Sequence, residues 1–335
     1  MPVSIREVAA RAGVSPSTVS QVLNSNYGVK ISAATRDRVK QVADELGYSP
    51  NQFARSLGRR KTDTIGLMVS GIRNPFFAEL VETAESLLMA AGYQVFLDCG
   101  PSQAGSYGEH VKLRGWPVDG VLIWAFPDQN LEMFLGRQAV GLPVVYLGYP
   151  RTDGACTVYF DLYTGITEAL RHLHAQGYRK IGYVFPDDGL PSRVSDKLMA
   201  YRDFCGEAGW PERIIVQERR EQTRRAGLET ALMVAAMPEA DRPDAVICHN
   251  DSLAQGFYFG ARRAGLAVPG DIAVVGCDGN TDSEYLDTPL TSVLLPIETL
   301  CLDAIKALQA QICPERTLDL ASKAITPKLR IGGTT

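Results

Sequence analysis

Apolar positions over the first fifty residues recur with helical spacing. Ile5, Val8, Ala9 and Ala12 fall at i, i+3, i+4 and i+7, the signature of one buried helix face. Ser4 and Glu7 frame the start of that helix as a Ser-x-x-Glu capping box, in which each side chain satisfies an orphan amide. Gly13 predicts its end, since glycine adopts the left-handed backbone of a helix terminus at little cost, and Val14 fills the corner that follows. Ser15 then caps a second helix with Pro16 at its first position, where a missing N–H costs little. Val19, Val22 and Leu23 form the buried face of this helix, leaving Ser17, Thr18, Ser20 and Gln21 on its other faces. A third helix follows a cap at Ser32, with Val39, Val42, Ala43 and Leu46 on one stripe and Gly47 after it. Helix, glycine turn, short polar helix and packing helix make a helix-turn-helix plan, whose second helix enters the DNA major groove. A plain three-helix bundle with no DNA role fits the same periodicity.

Beyond residue 62 the pattern changes to alternating strand and helix. Apolar runs at residues 65–69, 95–97, 121–124 and 144–147 predict strands, with a helix over 77–91. A second series begins after Asp161: a helix through His174, a strand at 181–185, a helix over 194–208 and a strand at 214–216. It continues with a helix over 224–237, a strand at 245–248, a helix over 252–264 and a strand at 272–275. Apolar strands separated by helices imply parallel sheets covered on both faces. Two series imply two doubly wound α/β subdomains with a cleft between them, and such sheets bind ligands beyond the carboxyl ends of their strands. The late segments 291–294 and 328–331 are expected to cross back and complete the two sheets. The expected organisation is an α-helical helix-turn-helix headpiece at 1–49, a hinge helix and linker at 50–61, and an α/β body at 62–335. Within the body, one subdomain takes about 62–163 plus 291–322 and the other about 164–290 plus 323–335.

Charge sharpens the division. Residues 1–61 carry ten Lys or Arg and four Asp or Glu, while the rest carries 24 basic and 34 acidic residues. A basic module on an acidic body suits a head that binds a polyanion. No apolar run reaches the roughly 18 residues of a membrane span, and the first residues lack the apolar stretch of a signal peptide, so a cytoplasmic location is expected. The seven cysteines are widely spaced and include no C-x-x-C pair, which argues against a disulfide framework and a zinc site and for ordinary core packing.

An α/β body also suits an enzyme, so the motifs of catalysis matter. The chain has no G-x-x-x-x-G-K-[ST] phosphate loop and no G-x-S-x-G nucleophile elbow. Its four histidines are His110, His172, His174 and His249; His172 and His174 lie two apart on a predicted helix and so point in different directions. No catalytic residue, metal or cofactor is expected.

The stretch Ile5-Arg6-Glu7-Val8-Ala9, Ala12-Gly13-Val14-Ser15, Thr18-Val19-Ser20 and Val22-Leu23-Asn24 closely resembles the signature of the lactose-repressor (LacI/GalR) family. Thr35-Arg36-Asp37-Arg38-Val39 and Leu46-Gly47-Tyr48, with Pro50-Asn51, Ala54-Arg55 and Leu57, continue it. The resemblance implies a regulator that binds a pseudo-palindromic operator in double-stranded DNA as a homodimer or tetramer. It implies DNA contacts at Ser4, Pro16, Ser17, Thr18, Ser20, Gln21 and Asn24, and at Asn51, Ala54, Arg55 and Leu57 in a hinge helix. Gln21 points to an adenine in the site, because glutamine pairs bidentately with that base; Pro16 sets the helix start. Leu57 is the expected wedge in the minor groove. A loop over 25–31 that is a residue or two longer than is usual in the family departs from the pattern.

The body continues the resemblance through Asn74-Pro75-Phe76-Phe77, Val118-Asp119-Gly120-Val121, Gly141-Leu142-Pro143-Val144-Val145, Asn250-Asp251 and Val275-Gly276-Cys277-Asp278. It is also similar to a periplasmic sugar-binding fold. The implied effector contacts are Ser70, Asn74 and Phe76 in the first subdomain, Trp124 and Phe160 near strand ends, and Lys197, Asn250 and Asp278 in the second. Trp124 and Phe160 fit core packing as well as ligand stacking. Asn250 is read as a ligand contact that also suits a helix cap, and Asp251 as a cap. Lys197 stands where the family often has Arg and lacks that residue's planar fork, and Gly148 stands where some relatives place a polar contact. The expected function is a repressor controlled by a small molecule, most often a sugar or sugar derivative in this family. A nucleoside or purine corepressor is the alternative, and an α/β enzyme fused to a DNA-binding head is the remoter one.

Overall fold

Helix α1 (Ile5–Ala12) starts where the capping box places it: the Ser4 amide donates to Glu7 Oε2 at 2.6 Å and the Glu7 amide donates to Ser4 Oγ at 3.4 Å. Gly13 closes it at φ +64°. Helix α2 (Pro16–Leu23) is held at its start by Ser15, whose Oγ accepts from the Thr18 amide at 3.1 Å. Ser32 does the same for α3 (Ala33–Glu45) through the Thr35 amide at 3.2 Å. Val8, Ala9, Ala12, Val19, Val22, Val39, Val42 and Ala43 form the core of these three helices. Their small size suits a bundle whose helices contribute only two or three turns each.

This computed structural model describes residues 3–23, 31–48, 61–69, 71–99, 117–124, 141–150, 154–186, 195–217, 223–313 and 322–335. They fall into two units, one within residues 1–62 and the other within 63–335. The second unit contains two six-stranded sheets. The first sheet is built from β1 (Thr64–Val69), β2 (Gln94–Cys99), β3 (Gly120–Trp124), β4 (Val144–Gly148), β5 (Thr157–Phe160) and β11 (Lys323–Ile325), in the order β11-β5-β4-β3-β1-β2. Helices α4 (Pro75–Ala90) and α9 (Ile297–Ile312) pack on it and on each other. The second sheet has β6 (Ile181–Pro186), β7 (Ile214–Gln217), β8 (Ala245–Cys248), β9 (Ala273–Asp278), β10 (Thr291–Leu294) and β12 (Lys328–Arg330), in the order β12-β10-β9-β8-β6-β7. Helices α5 (Leu162–Ala175) and α6 (Asp196–Ala208) pair with each other, as do α7 (Arg224–Ala235) and α8 (Asp251–Arg263). Strands β1, β3 and β8 are buried throughout apart from the first residue of β1, which is why they read as continuous apolar runs rather than as alternation.

Two features of the sequence-based organisation need correction. Residues 291–294, assigned to the first subdomain, pair as β10 with β9 of the second sheet, Thr291 beside Val275 and Leu294 beside Asp278. Residues 323–325, assigned to the second subdomain, pair as β11 with β5 of the first. The chain therefore crosses between the sheets three times, after β5, after β10 and after β11, and the expected boundary at 163/164 falls inside α5. The second correction is confined to one edge: the pairings of the first sheet are all parallel, as expected, and in the second only β12 departs, running antiparallel to β10. Only Thr326 and Pro327 separate β11 from β12, far too few for the crossover that a parallel neighbour needs. The strand consequently enters the second sheet from the carboxyl ends of its neighbours.

Among the described residues no helix is long and apolar enough to cross a membrane. Four cysteines are buried, as their apolar surroundings suggested, but Cys99 is exposed on the edge strand β2.

Candidate functional site

The carboxyl ends of both sheets converge on one cavity, the place where open α/β sheets hold small ligands. Its first wall is aromatic. Trp124 is the last residue of β3, Phe160 the last of β5, Tyr149 follows β4, and Phe76 and Phe77 lie in the first turn of α4. The Trp124 ring is the centre of this group. Phe76 and Phe77 meet it edge-on at 5.1 and 5.3 Å, Tyr149 at 5.9 Å, and Phe160 lies tilted at 6.5 Å. Edge-to-face contacts of this kind add to the area the rings bury and hold the wall in one arrangement. Core packing and cavity lining, posed as alternatives for Trp124 and Phe160, are both true: each is at least nine-tenths buried and each lines the cavity.

The opposite wall is polar and comes from the second sheet. His249 and Asn250 follow β8, Asp278 ends β9, and Lys197 projects from the first turn of α6. Asn74 joins them from the first subdomain, where its Oδ1 accepts the Phe76 amide at 3.2 Å and caps α4. Asn250 caps α8 by accepting the Leu253 amide at 2.9 Å. Lys197 donates from Nζ to the backbone carbonyl of His249 at 2.8 Å, and His249 Nδ1 lies 3.2 Å from the Tyr183 hydroxyl. Asp278 holds φ at +136°, a region costly for any side chain but glycine and found chiefly at functional sites.

Asp251 is not the cap that the sequence suggested. Its carboxylate is fully buried, accepting Ser292 Oγ at 2.6 Å on Oδ1, and the Asn280 amide at 2.7 Å and Ser283 Oγ at 3.2 Å on Oδ2. These bonds tie the turn after Asp278 to β10 and so fix where Asp278 stands. Gly276 leaves room for this carboxylate, because a Cβ there would lie 2.1 Å from Asp251 Oδ1.

Burial dominates the electrostatics. Asp278 is pushed up to about 8 by burial, Lys197 pulls against that shift, and the Asp251 carboxylate adds to it. Burial opposes the Lys197 ammonium, yet the acidic groups around it, Cys277 and Asp278 foremost, outweigh that effect and raise its pKa. His249 is held well below its usual value by burial and by Lys197, so its ring is neutral. Near neutral pH the wall thus presents one firm cation, a carboxyl group close to its titration point and neutral polar groups. Among the described residues no cluster of His, Cys, Asp or Glu is placed to hold a metal ion. His172 Nε2 lies 2.9 Å from Thr335 Oγ1, and the His174 ring packs on Trp210 and Phe204.

Seven of the eight sequence-derived effector residues, Asn74, Phe76, Trp124, Phe160, Lys197, Asn250 and Asp278, line this one cavity. Ser70 lies outside the described residues. Sequence reasoning missed Phe77, Tyr149, Leu162, His249 and Leu295. Each of these adjoins a strand end or a helix start, and that position is the signal that marks them. In the first unit Ser4, Pro16 and Ser17 are exposed, while Thr18, Ser20 and Gln21 are half-buried along α2. Ser4 and Thr18 also serve the caps of their helices. Asn24, Asn51, Ala54, Arg55 and Leu57 lie outside the described residues.

Comparison with known proteins gives a consistent picture. Residues 4–51 match the model of bacterial regulatory proteins of the lacI family, and residues 170–335 match a periplasmic binding protein-like domain. The chain is 30% identical over 331 residues to the HTH-type transcriptional regulator GalR of Escherichia coli (strain K12), covering 97% of this chain and 94% of GalR. Among solved structures it is similar to the lac repressor dimer bound to operator and the anti-inducer ONPF. That likeness has a TM-score of 0.84 at 22% identity and covers 100% of this chain and 99% of the other. It is also similar to a complex of the transcriptional regulator CelR with cellobiose, with a TM-score of 0.68 and 28% identity over 99% of this chain and 100% of that one.

Proposed function

This chain belongs to the lacI family of bacterial regulatory proteins, and from that premise we propose that it is a repressor released from its operator by a neutral sugar held between the two body subdomains. The observation that carries the reading is the cavity itself: an aromatic wall from one sheet faces a polar wall from the other, at the carboxyl ends of both. Sugar rings have apolar faces and hydroxyl edges, and this cavity offers a surface for each. The likeness to a regulator solved with cellobiose supports the same ligand class.

In this reading α2 enters the major groove with Pro16 and Ser17 leading, and Gln21 reads a base further along. Two chains related by a two-fold axis match a pseudo-palindromic site, with Leu57 of each chain at its centre. Ligand bound between the subdomains changes their relative angle about the three crossings, and the shift reaches the segment 50–61. Such coupling is reciprocal, so operator DNA weakens ligand binding by the same factor by which ligand weakens DNA binding. The chain works in the cytoplasm and returns its ligand unchanged.

The test is selection of duplexes bound by the full chain from a random DNA pool, followed by titration with glucose, galactose, lactose, cellobiose and hypoxanthine. Enrichment of a two-fold symmetric site, and its release by one of the sugars, is the expected result. Release by none of the sugars, tightening by hypoxanthine, or chemical conversion of the added compound would each overturn it.

A further inference from the structure

Leu295 lines two voids at once: the cavity and a groove beside it. Strand β10 leaves the second sheet here and the chain passes over to α9 on the first, so the crossing at 294–296 is a wall common to both. The other walls are shared as well. Phe76 and Phe77, in the first turn of α4, line the cavity, and Glu79 and Glu82, further along the same helix, line the groove. Asp278 lines the cavity and Gly279 the groove. A rotation of the subdomains about the crossings that narrows one void therefore widens the other. Charge is segregated across the groove. The first subdomain contributes Glu79 and Glu82 from α4 and Glu298 from the first turn of α9, and β12 of the second contributes Lys328 and Arg330. Among the described residues Arg330 pairs with Glu284 of its own subdomain, whereas no ion pair engages Glu79, Glu82, Glu298 or Lys328. Burial and the neighbouring Glu82 carboxylate raise the pKa of Glu79, so a cation brought to this wall relieves the crowding of like charge.

We infer that Lys328 and the carboxylates of Glu79, Glu82 and Glu298 are the two halves of an electrostatic latch between the subdomains, open in this arrangement and closed when the groove narrows. The latch itself needs no ligand; its bearing on a sugar rests on the proposed function. Closing the latch widens the cavity, so it opposes the arrangement that grips a sugar and favours the ligand-free one. The lysine stem is long and flexible, which lets one ammonium reach any of the three carboxylates. Exposed ion pairs contribute little singly, and a small contribution suits a bias rather than a lock. A ligand shifts the population once its preference for the other arrangement outweighs that bias. Salt screens such a pair, so ionic strength tunes the sugar concentration at which the regulator responds.

Zero-length cross-linking of the wild-type full chain with a carbodiimide tests the latch directly, since it joins an amine to a carboxylate only where the two meet. Lys323 and Asp303, 2.8 Å apart within the first subdomain, are the positive control. Peptides from the monomer band of a denaturing gel should contain an isopeptide bond between Lys328 and Glu79, Glu82 or Glu298. Adding the tightest-binding of glucose, galactose, lactose and cellobiose to saturation should deplete that product and leave the Lys323–Asp303 product unchanged. In calorimetric titration, Lys328→Gln should bind the same sugar roughly two- to fivefold more tightly than wild type, and the gain should fade at high ionic strength. Lys328→Glu should bind it at least as tightly as Lys328→Gln. Adding Glu79→Lys, Glu82→Lys or Glu298→Lys to Lys328→Glu, at whichever position is cross-linked, should restore the wild-type affinity, which a merely structural role for Lys328 would not do. Absence of the Lys328 product beside a normal Lys323 product overturns the latch, and so does a Lys328 product that sugar increases. An affinity of Lys328→Gln equal to or weaker than that of wild type overturns it as well. If the Lys328 product forms and none of the sugars binds, the latch stands and the sugar reading fails. If sugar releases operator DNA and no Lys328 product forms, the latch fails and that reading stands.

Discussion

The indole of Trp124 lies directly over the backbone of Gly148: a Cβ built on that glycine would fall 2.6 Å from the ring. Gly148 also holds φ at +97°, so both sterics and backbone conformation exclude a side chain there. Gly148→Ala should therefore destabilise the body by roughly 2–4 kcal/mol, combining overpacking with a strained φ. It should also move the tryptophan emission maximum as the ring is displaced. Urea unfolding and fluorescence together check this, and a stability within about 0.5 kcal/mol of wild type would mean that the ring is not held by the glycine.

The capping box at the head of α1 carries a pH dependence. Glu7 has its pKa lowered by hydrogen bonding to the Ser4 backbone amide and then to the Ser4 side chain. A carboxylate with a depressed pKa stabilises the fold above its unfolded value and loses that contribution as pH falls through the folded value. Acid should thus speed hydrogen exchange of the α1 amides in the wild type, and Glu7→Gln should abolish that acid step. Ser4→Ala should cost about 1 kcal/mol of local stability at neutral pH.

Asn250 and Asp251 are adjacent and should respond very differently. Asn250→Ala removes a helix cap, which is worth about 1 kcal/mol. Asp251→Ala strips the acceptor from Ser292, Ser283 and the Asn280 amide at once, and should cost about 3–5 kcal/mol, since each buried donor left unpaired costs about 1–3 kcal/mol. Equal urea midpoints for the two variants would refute the assignment of Asp251 as the hub of this turn.

Asp278 gives the body an unusual pH profile. Its folded pKa of about 8 lies above the ordinary aspartate value, so between the two the native state holds a proton that the unfolded chain releases. The associated stability is full below the unfolded value and is lost as pH rises through about 8. Asp278→Asn should accordingly gain stability over wild type at pH 8–9 and lose that gain towards pH 4–5, as the acid form of Asp278 becomes its near-isostere. A stability difference that stays flat across this range would place the Asp278 pKa elsewhere.

What the sequence disclosed followed from local rules. Capping residues, glycine stops and helical spacing are set within a few neighbours, and Ser4, Gly13, Ser15 and Ser32 each act in the structure as their position suggests. Strand ends were legible for the same reason, which is why residues as distant as Asn74, Trp124, Lys197 and Asp278 could be gathered before their shared cavity was seen. Long-range partnership was less accessible. Whether residues 291–294 join one sheet or the other depends on β9 lying beside them, and an apolar strand carries no label for its neighbour. Asp251 was misread because a helix start looks the same whether its acid caps the helix or reaches across to Ser292. The environment of Gly148 was equally hidden, since only its contact with Trp124 explains the missing side chain.

The third crossing has a bearing on how the body comes to be made. Strand β11 pairs Lys323 with Val158, so the first sheet cannot gain its edge strand until five of the six strands of the second sheet, β6 to β10, have left the ribosome. Gln311 likewise bonds from its side chain to the backbone of Val144, and α9 returns to the first sheet only after the second is nearly complete. Pairings this distant slow folding, because loop-closure entropy is met before the contacts form. The nascent first subdomain must therefore wait with the β5 edge unpaired, a state in which strands are prone to join the wrong partner. The second subdomain, continuous from α5 to β10, can fold during that wait, so the protein should assemble from its middle outwards.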